Sequence, residues 1–162
     1  MKRVITIILT LLAAANLQAQ DILTRFETER ITCKYSYGVT TPMVINYSGD
    51  AVVQGNCYYL NGNGLEVFCD GVTRWTKDAD AQEVYIENAE DVNNMLQTFL
   101  LNAKNLKYSA TEVSGTYTDN AQNADINFKL TSLVYEKATE DLSTFVLDVK
   151  KLDAAYIITD LR

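Results

Sequence analysis

The strongest constraint on the fold is the way short alternating apolar segments are cut by turn residues through the middle of the chain. Asn61-Gly62-Asn63-Gly64 is the sharpest of these cuts, because asparagine and glycine accept the positive φ that tight hairpin turns demand. Ser48-Gly49-Asp50, Asp70-Gly71 and Asp78-Ala79-Asp80-Ala81 punctuate the sequence in the same way. Between them, Ile31–Tyr37, Met43–Tyr47, Ala51–Leu60, Leu65–Cys69, Val72–Lys77 and Gln82–Glu87 read as strands. Ten tyrosines against a single proline, Pro42, fit a pleated and half-buried scaffold.

Two segments break this rhythm. Asp21–Arg30 reads as a short helix with Ile22, Leu23 and Phe26 on one face. Glu90 to about Asn102 reads as a second, with Asn88 as its cap and Glu90 and Asp91 complementing the positive end of the helix. Val92, Met95, Leu96, Phe99 and Leu100 fall on one stripe of it, which reads first as plain core and alternatively as a pliable lid over an apolar ligand. Further strands are expected near Lys107–Val113, Ile126–Val134, Phe145–Val149 and Tyr156–Thr159. Helix, strands, helix, strands in that order predicts an α+β fold: one curved antiparallel sheet with helices on one face.

The first residues carry an address. Lys2 and Arg3 precede an apolar run from Val4 to Ala15, shorter than the roughly 20 residues that span a bilayer. A small residue at Ala19 completes a secretory signal, so residues 1–19 are expected to be removed and 20–162 to form one domain. About 143 residues are enough to bury roughly 68–70% of the unfolded surface in one core. No cysteine sits directly after Ala19, and Cys33 is too far downstream, so no lipid anchor is expected there. Loss of Lys2 and Arg3 leaves 12 basic against 21 acidic side chains. That balance argues against nucleic acid and anionic membranes as partners.

Histidine is absent, which removes the commonest general base and a common metal ligand. Thiol catalysis lacks an activating base, and the carboxylates show no spacing that marks a hydrolytic pair. No enzyme activity, cofactor or metal is expected. Asp78 and Asp80 lack the glycine and distal glutamate of a calcium loop. Asn46-Tyr47-Ser48 matches a glycosylation acceptor triplet. Of the three cysteines, Cys57 and Cys69 would face each other if Gly62-Asn63-Gly64 formed a three-residue loop; a four-residue loop would part them. A Cys57–Cys69 bridge and three buried free thiols, Cys33 included, therefore both stand.

Three stretches of the chain resemble the LolA-like family of periplasmic lipoprotein carriers: Gly55-Asn56-Cys57-Tyr58-Tyr59-Leu60, Phe68-Cys69-Asp70-Gly71-Val72-Thr73-Arg74-Trp75 and Gln82-Glu83-Val84-Tyr85-Ile86. Asp70-Gly71 and Trp75 match the family's D-G-x-x-x-W turn and strand, and Tyr59 stands where the family has a strand arginine that helps hold its lid closed. The resemblance implies an unclosed β-barrel with helices covering its concave side. It implies a chaperone of outer-membrane biogenesis that shelters lipoprotein acyl chains between sheet and helices during transport through the periplasm. The candidate cavity and lid residues are then Tyr59, Trp75, Tyr85, Val92, Met95, Leu96 and Phe99. Trp75 reads alternatively as a packing anchor, brought near Tyr85 across the Asp78–Ala81 hairpin. The implied partners are acyl chains or other lipid and the lipoprotein-sorting proteins of the inner and outer membranes, with the carrier itself a monomer. A non-carrier binding or structural module on the same fold is the alternative.

Overall fold

The computed structural model describes residues 21–39, 45–89, 95–119 and 124–162. The signal segment, residues 40–44 and the expected start of the second helix lie outside the described residues. Ten strands form one sheet: β1 (Glu29–Val39), β2 (Ile45–Gln54), β3 (Cys57–Gly62), β4 (Leu65–Cys69), β5 (Thr73–Asp78), β6 (Glu83–Asn88), β7 (Lys104–Tyr108), β8 (Glu112–Asp119), β9 (Ala124–Lys137) and β10 (Ile157–Asp160). Their spatial order is β10-β6-β5-β4-β3-β2-β1-β9-β8-β7, so the sheet is open, with β10 and β7 at its edges.

This corrects the expected α+β architecture with helices covering the concave side. The chain is predominantly β. Among the described residues its α-helices are α1, residues 21–28, and α2, Met95–Asn102. Ten strands spaced about 4.8 Å apart make a sheet about 43 Å wide, whereas an eight-residue helix is about 12 Å long. Two such helices cover one stretch of a face and leave the rest to other means. Ile22 and Phe26 of α1 and Leu96, Phe99 and Leu100 of α2 are buried against Ile31, Cys33, Val53, Val113, Phe128 and Leu130. That side is the inner face.

The outer face is sheltered by the chain beyond β9. Cross-strand pairing sets Val52, Tyr59, Phe68, Trp75 and Ile86 in one row on this side, and Lys77 and Val84 in the next. Phe145 is fully buried, and its short 3-10 turn, Ser143–Phe145, lies on β3 and β4. The Arg30 guanidinium stands 5.3 Å over the Phe145 ring and donates to Thr144 Oγ1 at 2.9 Å. The Gln54 amide donates to Thr139 O (2.8 Å) and accepts from Thr139 N–H (3.0 Å), pinning the segment as it leaves the sheet. Phe145–Val149, expected as a strand, is instead a pair of 3-10 turns joined by extended chain. The last strand exists, but β10 runs parallel to β6 rather than antiparallel.

Local chemistry explains most turns. Asp78 Oδ1 accepts from the N–H groups of Asp80 and Ala81, and Asp70 Oδ1 from those of Val72 and Thr73, so both aspartates build their own turns. The β3–β4 hairpin turns on Asn63 and Gly64, both at positive φ (55° and 81°), with Gly62 opposite Leu65. Ser48-Gly49-Asp50 is no turn: β2 runs through it, and the chain reverses at Gly55 (φ 55°) and Asn56. The expected strand Lys107–Val113 is likewise broken, by residues 109–111 between β7 and β8. Ser132, also at positive φ, marks a bulge in β9 where its register with β1 shifts.

Gly49 sits mid-strand because it faces Gly62 across a close approach. A Cβ on Gly49 would stand 2.0 Å from Asn61 O, and one on Gly62 would stand 2.2 Å from Ser48 O and 2.8 Å from the Tyr35 hydroxyl. Gly62→Ala should therefore cost about 1–3 kcal/mol, read as a lower urea midpoint at unchanged slope. On the outer face, Glu66 accepts from Lys77 Nζ (2.6 Å) and the Tyr59 hydroxyl (2.9 Å). Those bonds, Lys77's above all, hold its carboxyl below the ordinary 4.5. A depressed carboxylate stabilises the fold above its ordinary value and loses that contribution as pH falls beneath it. Glu66→Gln should accordingly flatten the acid side of the stability–pH curve below 4.5, measured by denaturant titration at stepped pH.

Candidate functional site

The inner face is built in rows, because residues opposite one another on neighbouring strands share a face. One row runs Gly115–Phe128–Tyr37–Tyr47, the next Val113–Leu130–Tyr35–Gly49–Gly62–Leu65. Beyond these lie Ala51–Leu60–Val67–Thr76 and Val53–Tyr58–Cys69–Arg74. Phe99 of α2 fills the first row, touching Tyr37 (ring centroids 5.5 Å apart), Tyr117 (5.8 Å) and Phe128 (5.3 Å). Tyr37 in turn stacks on Tyr47 at 4.8 Å.

Among the described residues none of α2 lines the rows past Tyr37, and Gly49 and Gly62 contribute no side chains. The result is a cavity of about 200 Å³ walled by Tyr35, Tyr37, Tyr47, Tyr58, Leu60, Leu65 and Val67, with Arg74 at its far row. Burial pushes the Tyr37 and Tyr58 phenols up to about 12, so both remain protonated and uncharged at neutral pH. The wall is apolar at its centre and carries neutral hydroxyls around it. Its volume falls below the roughly 300–1,000 Å³ of sites that enclose a whole small molecule, and suits part of one chain.

A larger recess, about 660 Å³, lies across β7, β8, β9, β1 and β2 on the outer face. Its rows are Lys107–Ser114–Lys129–Ser36–Ser48 and Thr116–Asn127–Gly38–Asn46. These groups largely answer one another: Thr116 donates to Asn127 at 3.1 Å, and Lys129 pairs with Glu112 at 3.0 Å. It is a solvated polar trough. The smaller cavity is the one whose chemistry selects a ligand.

Among the described residues, those expected from sequence to form the site divide between the two faces of the sheet. Leu96 and Phe99 are buried core on the inner face (1% and 4% exposed) and do not line the cavity. Met95 opens the described part of α2, and Val92 lies outside the described residues. Tyr59 and Trp75 belong to the outer face, where the Tyr59 ring lies tilted against Phe68 (centroids 4.9 Å apart) and its hydroxyl donates to Glu66. Tyr85 is opposite Thr76 rather than Trp75, hence on the other face from that tryptophan, and is exposed. Sequence reading missed Tyr35, Tyr37, Tyr47, Tyr58, Leu60 and Val67. The alternation within β1 and β3 carries their shared face, but only the register shows that they meet.

Cys57 does not face Cys69. The two-residue turn sets Tyr58 opposite Cys69, and Cys57 pairs instead with Gln54 across β2. All three cysteines are free thiols. Burial raises each of them, with Cys33 pushed up to about 12, so they remain in the unreactive protonated form.

No family model matches the chain, and no curated protein matches it. Among the described residues no helix is long and apolar enough to cross a membrane, and no group of three or more cysteine, aspartate or glutamate side chains is placed to hold a metal ion. In native protein at neutral pH, iodoacetamide should label Cys57 first, at a rate well below that of an exposed thiol. Cys33, only 2% exposed, should be labelled only on unfolding; mass spectrometry of the digested protein reads both.

Proposed function

We propose that the chain is an exported carrier of acyl chains, resembling the periplasmic lipoprotein carriers, that shelters part of a chain in the tyrosine-lined cavity of its inner face. The observation that carries this reading is an apolar recess left open beside α2 and bounded by Leu60, Leu65, Val67 and four tyrosines. Each methylene removed from water there is worth about 0.8 kcal/mol, so a handful of buried groups gives several kcal/mol without any charged contact. The open sheet suits the same reading, because its uncovered inner rows can meet a ligand without the fold being undone. The working place is the periplasm, the route one between lipoprotein-sorting partners of the two membranes, and the mechanism binding and hand-over without catalysis.

One observation favours a second reading, a binding or structural module without cargo. Of the stripe that reads as core or lid, the described Leu96, Phe99 and Leu100 are all buried. On this second reading the cavity is a packing gap between the tyrosines of β1, β2 and β3.

Native mass spectrometry of protein purified from a periplasmic extract separates the two. The carrier reading expects co-purified lipid, and displacement of a fluorescent acyl probe by long-chain lipid. Val67→Trp, which fills the cavity, should abolish probe binding while leaving a cooperative unfolding transition. A wild-type chain that takes up neither lipid nor probe leaves the cargo-free module as the answer.

A further inference from the structure

We infer that Arg74 is the head-group anchor of the cavity, and that the cavity's ligand is a single-chain acyl carboxylate. The inference rests on the carrier reading and names the ligand class for that same site.

Arginine holds carboxylates best through two parallel N–H···O bonds, usually about 2.7–2.9 Å long. Two arginines of this protein are filled in that way from their own chain. Arg25 meets Glu29 through two bonds of 3.1 and 3.0 Å, and Arg162 meets Asp160 through bonds of 2.9 and 2.7 Å. Arg74 is not. Its ion pair with Glu87 has an N···O separation of 3.5 Å, and its two bonds to the Thr76 hydroxyl are both 3.3 Å. The Arg74 side chain is nonetheless mostly sheltered, 23% exposed. A sheltered cation with a loosely occupied fork, at one end of an apolar cavity, is half of a recognition site.

The geometry of the rows supplies the other half. The Tyr58–Cys69–Arg74 row and the Gly62–Leu65 row lie four residues apart along β3, about 13 Å at the rise of a strand. Leu60 and Val67 line the stretch between. A ligand that is charged at one end and apolar along one narrow tail fits that order of groups. Tyr58 lies in the same row as Arg74 and in the same wall, and its hydroxyl is a second polar group for the same head.

Isothermal titration with decanoate, methyl decanoate and decanol tests this, using the whole folded chain. Wild type should bind decanoate at least about tenfold more tightly than either neutral analogue, the worth of one or two charge-assisted hydrogen bonds. Arg74→Gln should bring that ratio close to one while decanol still binds. Glu87→Gln, which removes the competing carboxylate, should tighten decanoate and leave decanol unchanged. It carries the test by itself if Arg74→Gln fails to unfold cooperatively. Equal binding of all three probes by wild type overturns the anchor and leaves the carrier reading intact, with the methyl ester standing in for an acylated-protein cargo. A Glu87→Gln chain that gains no affinity for decanoate also overturns it. Binding of no probe at all removes the carrier reading and the anchor together.

Discussion

The strands from β3 to β6 carry apolar side chains on both faces, and the rest of the architecture follows from the need to shelter two surfaces with little helix. Val84 and Ile86 lie on one side of β6, while Leu60, Cys69 and Val67 lie on the other side of the neighbouring strands. Apolar area left in water costs about 25 cal/mol per Å², so neither face is stable bare. The helices α1 and α2 are spent on the inner face at β1, β8 and β9. The chain after β9 is then the cover for the outer face, and Phe145, wholly buried, is its peg. Arg30 and Gln54, at the start of β1 and the end of β2, hold that segment from the sheet side. What remains uncovered is the inner stretch beyond Phe99, and there the cavity sits.

Glycine decides the shape of that uncovered stretch. With no side chain at Gly49 or Gly62, β2 and β3 approach closely and the Tyr35 hydroxyl reaches the Gly62 backbone, so no larger side chain fits in that row. The aromatic rings beside the cavity are tied to one another, Tyr37 to Tyr47 and to Phe99, so they cannot simply fold inward to fill it. The cavity thus comes from the register of the sheet and not from a helix held away from it.

Much of the fold was legible, and the failures have a common origin. Alternation in Ile31–Tyr37, Leu65–Cys69 and Val72–Lys77 marked true strands, and Asp70-Gly71, Asp78–Ala81 and Asn63-Gly64 marked true turns. Ser48-Gly49-Asp50 misled because a glycine demanded by a close approach of two strands reads, in one dimension, like a glycine demanded by a turn. The parallel pairing of β10 has no local signature, since four residues announce a strand but not its partner. The candidate site was less legible still. Tyr59 and Trp75 are one residue out of phase with the cavity wall, and in a strand one residue is the difference between faces. The stripe on α2 was correctly seen as apolar, yet its role as core depended on Phe128 and Tyr117, which lie beyond it in sequence.

The parallel pairing of β10 with β6 has a consequence in time as well as in space. Ile157 pairs with Glu83 across more than seventy residues of intervening chain, and contacts between distant residues form late because long loops must close first. During synthesis, β1 to β6 can emerge and pair as a meander well before Phe145 or Ile157 leaves the ribosome. Until then Val84 and Ile86 face solvent on one side of a sheet whose outer strand, β6, is a bare edge. Such an intermediate is adhesive by construction. The nascent chain must therefore be kept apart from its neighbours until the final twenty or so residues arrive, and it is those residues that end its vulnerability.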